Sequence, residues 1–242
     1  MDFLPMIKGK LEELIKAHGL DLSDEVQVIS ARSLSPEEAI GHPERDDFPL
    51  LKGKEVMIEA IFRQTRGQAY TDMPGNYRGK LRDVLSLPLK NNYERAVFVA
   101  TLNAVMRYLG LVERTVHCRD QEPGQCANHL VAYVQQRFGH PKIAFIGLQP
   151  AMVASLAPHF PLRVTDLDPE NVGQLKAGVL IEPESATSDV LAWADVILAT
   201  GTTAVNGSLT TLIGQKPIIF YGVTIAGIAR LMGYEQYCFH GH

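Results

Sequence analysis

Five short apolar runs in the second half of the chain set the strongest limit on its fold. They are K-I-A-F-I at 142–146, L-R-V-T-D at 162–166, G-V-L-I at 178–181, D-V-I-L-A at 195–199 and P-I-I-F-Y at 217–221. Each has the length of a strand, and none alternates apolar with polar residues as a half-solvated strand does. Runs of this kind suit parallel strands covered on both faces. Helical segments separate most of them, around 150–157 and 204–213 among others. The repeat predicts a Rossmann-like parallel sheet with helices on both faces and right-handed crossovers. The usual strand order, 3-2-1-4-5, sets the first and fourth runs side by side, and the order reverses between them.

The first half has a different texture. Phe3, Ile7, Leu11, Leu14 and Ile15 recur at helical spacing before Gly19, which predicts an amphipathic helix over 3–18. Residues 26–31 and 55–62 alternate and predict two strands. The polar, proline-containing stretch 35–49 reads as connection, and the segment from Arg63 to Arg78 as a loop with room for an edge strand. A helix over 92–109 places Tyr93, Ala96, Val97, Ala100, Ala104, Val105 and Tyr108 on one face and ends at Gly110. The expected organisation is an α+β part over 1–111, a bridging segment with one helix (about 125–138) over 112–141, and the Rossmann-like part over 142–242.

In open parallel sheets ligands bind beyond the carboxyl ends of the strands, where the order reverses. The polar residues of the second half lie at those ends. Gly147 and Gln149 follow the first run, with Pro150 placed as a first helical residue. Asp166 and Asp168 close the second run. Thr200, Gly201, Thr202, Thr203 and Asn206 follow the fourth, and Gly222 and Thr224 the fifth. Asp166 follows Gly147 at close to the ~20 residues at which an acidic group takes a ribose hydroxyl in dinucleotide folds. A G-x-G-x-x-G fingerprint and a P-loop are both absent. The expectation is a small-molecule site between the Gly147 and Thr200 loops. Two helix N-termini would offer free N–H groups to an anion there. Taken singly, the same threonines and glycines also read as caps and turns. The loop from Arg63, with Arg66, Tyr70, Thr71 and Asp72, is the expected cover of this site.

Metal-ligating side chains gather at 117–129, where His117, Cys118, Cys126 and His129 occur without the short C-x₂₋₄-C pair of a zinc finger. Cys118, Cys126 and His117 are the candidate ligands for a soft or borderline metal. On a helix over 125–138, with Ala127, Val131, Val134 and Phe138 as the buried face, Cys126 sits at the border and His129 points to solvent. The tail Cys238-Phe239-His240-Gly241-His242 is also rich in ligands but is expected to fray. Three cysteines in 242 residues argue against a disulfide scaffold. The net charge of −4, with no dense Lys/Arg run, gives no reason to expect a nucleic-acid partner. No apolar run approaches the ~18–20 residues of a membrane span, and no secretory signal opens the chain, so a cytoplasmic protein without a membrane partner is expected. A homo-oligomer is left open.

Five strings together resemble the putative heavy-metal-chelation family: H-C-R-D-Q-E-P-G-Q-C at 117–126, K-I-A-F-I-G-L-Q-P at 142–150, D-L-D-P-E-N-V-G at 166–173, A-D-V-I-L-A-T-G-T-T-A-V-N-G at 194–207 and F-Y-G-V-T-I-A-G at 220–227. The likeness runs mainly over 90–240. It implies an enolase-N-terminal-like domain followed by a Rossmann-like domain, and a ligand site between them. Three functions follow as alternatives. One is binding of a small anionic ligand or metal complex in that cleft, with a transition metal as candidate cofactor. Another is an enzyme on a nucleotide-, pterin- or S-adenosylmethionine-like molecule. The third is a non-catalytic assembly module. No catalytic signature such as H-E-x-x-H or G-x-S-x-G is present to decide among them.

Overall fold

The computed structural model describes residues 3–20, 22, 28–52, 55–214 and 216–242. The chain opens with α1 (Phe3–Ala17), whose apolar stripe of Phe3, Leu4, Ile7, Leu11 and Ile15 is buried. A four-stranded antiparallel sheet follows, from β1 (Val28–Ser33), β2 (Val56–Phe62), β3 (Thr65–Thr71) and β4 (Tyr77–Lys80), in the order β3-β2-β1-β4. Residues 26–27 of the first expected strand lie outside the described residues. Between β1 and β2 run two short helices, α2 (Pro36–Ile40) and α3 (Pro49–Lys52), where the sequence predicts only connection. Ser35 and Glu38 form a reciprocal capping box that starts α2. The expected loop from Arg63 is mostly strand, because β3 and β4 are both edges of this sheet.

After α4 (Leu81–Leu85) comes α5 (Asn92–Tyr108), the central helix of the molecule. Every residue from Ala96 to Met106 is buried. A helix apolar all round is one packed on all sides, and here the neighbours are the antiparallel sheet on one side and the parallel sheet's helices α9 and α10 on the other. Close approach explains Gly67 on β3. A Cβ there would stand 2.2 Å from the backbone N of Ala104 and 2.4 Å from the backbone O of Ala100. Asn103 welds the same junction. Its side-chain amide donates to the carbonyls of Gln68, Val223 and Thr224, and its oxygen accepts the N–H of Gly227.

The second half is α6 (Glu122–Phe138), β5 (Ile143–Ile146), α7 (Pro150–Leu156), β6 (Leu162–Asp166), β7 (Leu175–Lys176), β8 (Val179–Pro183), α8 (Thr187–Trp193), β9 (Val196–Thr200), α9 (Thr203–Asn206), β10 (Ile218–Tyr221), α10 (Ala226–Met232) and β11 (Glu235–Tyr237). The seven strands take the order β11-β10-β9-β5-β6-β8-β7. All neighbours are parallel except β7 with β8. The five expected strands therefore occur in the expected order, with β7 and β11 added at the edges. One face of the sheet shares a core with α1, α5 and the antiparallel sheet. The other packs on α6, α7 and residues of α2 and α3.

Three expectations are corrected here. The helix expected over 204–213 is a single turn, α9, followed by a 3-10 turn at 208–211, because Gly207 takes a left-handed conformation between them. On α6 the buried residues are Pro123, Cys126, Ala127, Leu130 and Val134, so the face is rotated and Cys126 lies inside it. The tail does not fray. β11 pairs with β10, and His242 exchanges backbone hydrogen bonds with Val116.

Candidate functional site

Glycine geometry brings the two key strand-end loops into contact. Gly147, after β5, has φ of +86°, and a Cβ there would stand 2.6 Å from the methyl carbon of Thr200 at the end of β9. The Tyr221 hydroxyl, from β10, donates to the Gly147 carbonyl at 2.5 Å. Above this junction lies a cavity of about 420 Å³. Its floor is the carboxyl ends of β5, β6, β9 and β10. Gly147, Gln149, Asp166, Asp168, Thr200, Thr202, Asn206, Gly222 and Thr224, all expected at the site, line it. Gly201 and Thr203 do not. Thr203 is buried with its hydroxyl on the Thr200 carbonyl, and Gly201 is held against the backbone of Ile225.

The N-terminal part supplies the opposite wall. Tyr70, Thr71 and Asp72, from the end of β3, line the cavity together with Glu55 and residues of α2 and α3. The Tyr70 N–H donates to the Thr224 hydroxyl at 3.1 Å, which ties this wall to the floor. Arg66, grouped with them in the sequence, instead pairs with Glu59 at 2.6 Å, away from the lining.

Several expected ligand donors and acceptors already have protein partners. The Asp166 carboxylate accepts the N–H groups of Leu148 (2.6 Å) and Asp168 (2.8 Å). Gln149 caps α7 through the Met152 N–H. Asn206 accepts from the N–H and hydroxyl of Ser208. The N–H groups expected to greet an anion at the start of α7 are thus partly taken, and α9 is only one turn long. Charge points the same way. Among the described residues of the lining, Asp47, Glu55, Asp72, Asp166, Asp168 and Glu170 outnumber Lys52 and Lys176.

Glu55 responds to this setting. Burial, and then the charges of Asp166, Asp72 and Asp168, push its carboxyl up to about 7. It makes no hydrogen bond or ion pair among the described residues. Tyr70 packs edge-on against the His117 ring at 5.7 Å, and burial raises its hydroxyl well above the usual tyrosine range.

The remaining lining is sulfur and imidazole. His117, Cys118 and Cys126 all line the cavity, and so does Cys238 from the tail. The segment is positioned by Gln68, 1% exposed, whose side-chain oxygen accepts the His117 N–H at 2.7 Å while its nitrogen donates to Glu59. Burial lowers the His117 imidazole to about 4, and its Nδ1 is buried with no hydrogen-bond partner. Burial raises all three thiols, Cys238 to about 12. Near neutral pH this wall is therefore uncharged. Among the described residues no three His, Cys, Asp or Glu side chains stand close enough to hold a metal ion as they are placed. His129 lies outside the cavity, exposed and stacked on Phe239 at 4.0 Å.

Residues 130–233 match DUF364, a family described as putative heavy-metal chelation. The likeness to that family lies in this segment, which is less than half of the chain. The chain is also similar to two solved DUF364 structures, both described as of unknown function. One, from Pyrococcus horikoshii, is 18% identical, with a TM-score of 0.55 over 92% of this chain and 79% of that one. The other, from Desulfitobacterium hafniense DCB-2, is 17% identical, with a TM-score of 0.50 over 74% of this chain and 73% of that one. At such identities the likeness is one of fold. No curated protein matches. The DUF364 segment contains the cavity floor but not Glu55, Tyr70, His117, Cys118, Cys126 or Cys238. No described helix is long and apolar enough to cross a membrane.

Sequence reasoning left out Glu55, Tyr221 and Cys238. Glu55 reads as the first residue of an alternating strand, and nothing local marks it. Tyr221 ends a parallel strand beside two loop residues that were singled out, so its position was a usable signal. Cys238 was set aside with the tail.

Proposed function

We propose that this chain binds a small molecule or a metal complex in the cavity between its N-terminal part and the carboxyl ends of its parallel strands. The observation that carries this reading is the Nδ1 of His117 on the cavity wall, buried and without a hydrogen-bond partner among the described residues. Buried polar groups are ordinarily hydrogen-bonded, and each one left over asks for a partner. The cavity's volume is that of a small-molecule site, and its place is the one where open parallel sheets hold ligands. The DUF364 description supports a metal-bearing ligand, with Cys118, Cys126 and His117 as the soft donors after loss of the thiol protons. The acidic lining weighs against a free anion.

Native mass spectrometry of freshly prepared protein without a histidine tag tests this. A discrete retained mass is expected, lost in Tyr70→Ala and weakened in Thr202→Ala. If the mass is a zinc or copper complex, changing Cys118 and Cys126 together to serine abolishes its stoichiometry. A retained mass indifferent to all of these places the ligand elsewhere.

A second reading, an enzyme, is favoured by one specific observation. A general acid or base works best with a proton affinity near the working pH, and Glu55 is held at about 7.

A further inference from the structure

The lining of the cavity divides by chain segment. Its carboxylates come from residues 47–72 and 166–170, whereas residues 115–126 and the tail bring only His117, Cys118, Pro123, Cys126, Tyr237 and Cys238 to it. Within this second group His117 stands apart. Its ring meets Tyr70 edge-on, with centroids 5.7 Å apart and planes at 78°. Its Nδ1 is buried without a hydrogen-bond partner among the described residues. The backbone behind the ring is fixed. Gln68 holds the His117 N–H at 2.7 Å, and the N–H groups of Thr115 and Val116 go to the His242 carbonyl. Neighbouring polar groups are already committed. The Tyr237 hydroxyl donates to the Cys126 carbonyl at 2.6 Å. Glu122, outside the lining, accepts the Arg119 N–H at 2.9 Å and faces the His242 ring at 3.1 Å. Burial keeps the imidazole and the thiols of this wall neutral near pH 7.

We infer that the ligand turns an uncharged nitrogen heterocycle toward this wall and sets a ring N or N–H against the Nδ1 of His117. This rests on the reading of the cavity as a ligand site, takes its small-molecule branch and names the chemistry of one end of the ligand. A neutral imidazole carries one N–H and one lone pair, so Nδ1 makes one bond, to a donor or to an acceptor. A charged group is the wrong partner. An ion moved from water onto a wall of thiols, rings and proline loses its hydration and meets no counter-charge from that wall. An aliphatic hydroxyl makes the bond but leaves the rest of the wall unused. A flat ring does both. Its edge reaches Nδ1 while its faces and rim take the contacts that sulfur and aromatic edges favour. The cavity, about 420 Å³, has room for such a ring and for a further group that reaches the Gly147–Thr200 junction.

The test is ligand titration near neutral pH, followed by nitrogen NMR of protein labelled at histidine. Azaindole and aminopyrimidine are the uncharged heterocycles, benzamidinium and benzoate the charged rings of similar size, and cyclohexanol the aliphatic alcohol. The heterocycles are expected to move the His117 Nδ1 resonance and to bind about tenfold more tightly than the other three. His117→Phe keeps a ring on the wall and removes the nitrogen. It should weaken heterocycle binding about tenfold, with the fold checked by urea unfolding. The wild-type resonance reads the same contact if that variant does not fold. Charged rings or cyclohexanol bound as tightly as the heterocycles overturn the inference, and so do heterocycles that bind without moving the His117 resonance. Zinc that moves this resonance where the heterocycles do not assigns the wall to a metal and overturns it too. If the protein retains a native mass that the heterocycles do not displace, the inference fails and the ligand site stands. If no mass is retained and no probe binds, both fail.

Discussion

The acidic wall and the thiol wall of the cavity meet the same low-dielectric setting and answer it differently. Desolvation disfavours charge on both. On the thiol wall it succeeds completely, since His117 is pushed down and Cys118, Cys126 and Cys238 are pushed up until all are neutral near pH 7. On the acidic wall Asp166 and Asp72 are held in place by backbone and Asn92 donors, and burial pushes Glu55 up. The two walls therefore differ in side-chain chemistry and in the N–H donors set against their carboxylates, not in burial alone.

The largest effect expected is on the thiol wall. Gln68→Ala removes the acceptor of the His117 N–H and a donor to the buried Glu59. Leaving such groups unsatisfied costs about 3 kcal/mol, read by urea unfolding. In the folded variant Cys118 should react with thiol reagents faster by at least an order of magnitude, while the acidic wall is unaffected. Equal reactivity in the wild type and the variant would break the comparison.

On the acidic wall the sign reverses, and removal of a charge stabilises. Glu55 has a higher proton affinity folded, about 7, than its ordinary 4.5. Between those values the native state holds more protons than the unfolded one, so stability falls as pH rises through that window. Glu55→Gln is therefore expected to match the wild type near pH 4 and exceed it at pH 8 by up to about 3 kcal/mol. Urea unfolding at the two pH values checks it. A variant destabilised at pH 8 would mean that Glu55 has a partner there.

How much of this was readable from residues differs between the floor of the cavity and its N-terminal wall. The floor was legible, because continuous apolar runs admit little except buried parallel strands and their order fixes which loops converge. The N-terminal wall was legible in part: Tyr70, Thr71 and Asp72 stand in the stretch expected to cover the site and line the cavity, whereas Glu55 carried no signal. β3, T-R-G-Q-A-Y-T, carries no apolar alternation, since it packs on α5 through Gly67 and Ala69 and buries Gln68 against Glu59 on its other face. The capping box Ser35-Pro36-Glu37-Glu38 announced α2 in plain letters and was read as connection. The place of Cys238 depends on β11 joining the sheet, a pairing between residues 219–221 and 235–237 that no local pattern reports.

The smallest expected effect concerns that missed helix, which covers the cavity from the N-terminal side. Ser35→Ala removes the cap accepting the Glu38 N–H at 3.2 Å and should lower stability by about 1 kcal/mol. Because Ile40 is the one residue of α2 in the cavity lining, retention of the native mass should change less than twofold. A larger change would show that the cover, rather than the walls, sets recognition.

The central claim is that both halves of the chain build one ligand site. The most direct measurement is a crystal structure of protein carrying its retained ligand. The account predicts continuous ligand density touching Tyr70 or Glu55 from one half and the Gly147–Thr200 junction from the other. Density confined to the open groove between α6 and α7, beside Asn128 and Ser155, would contradict it.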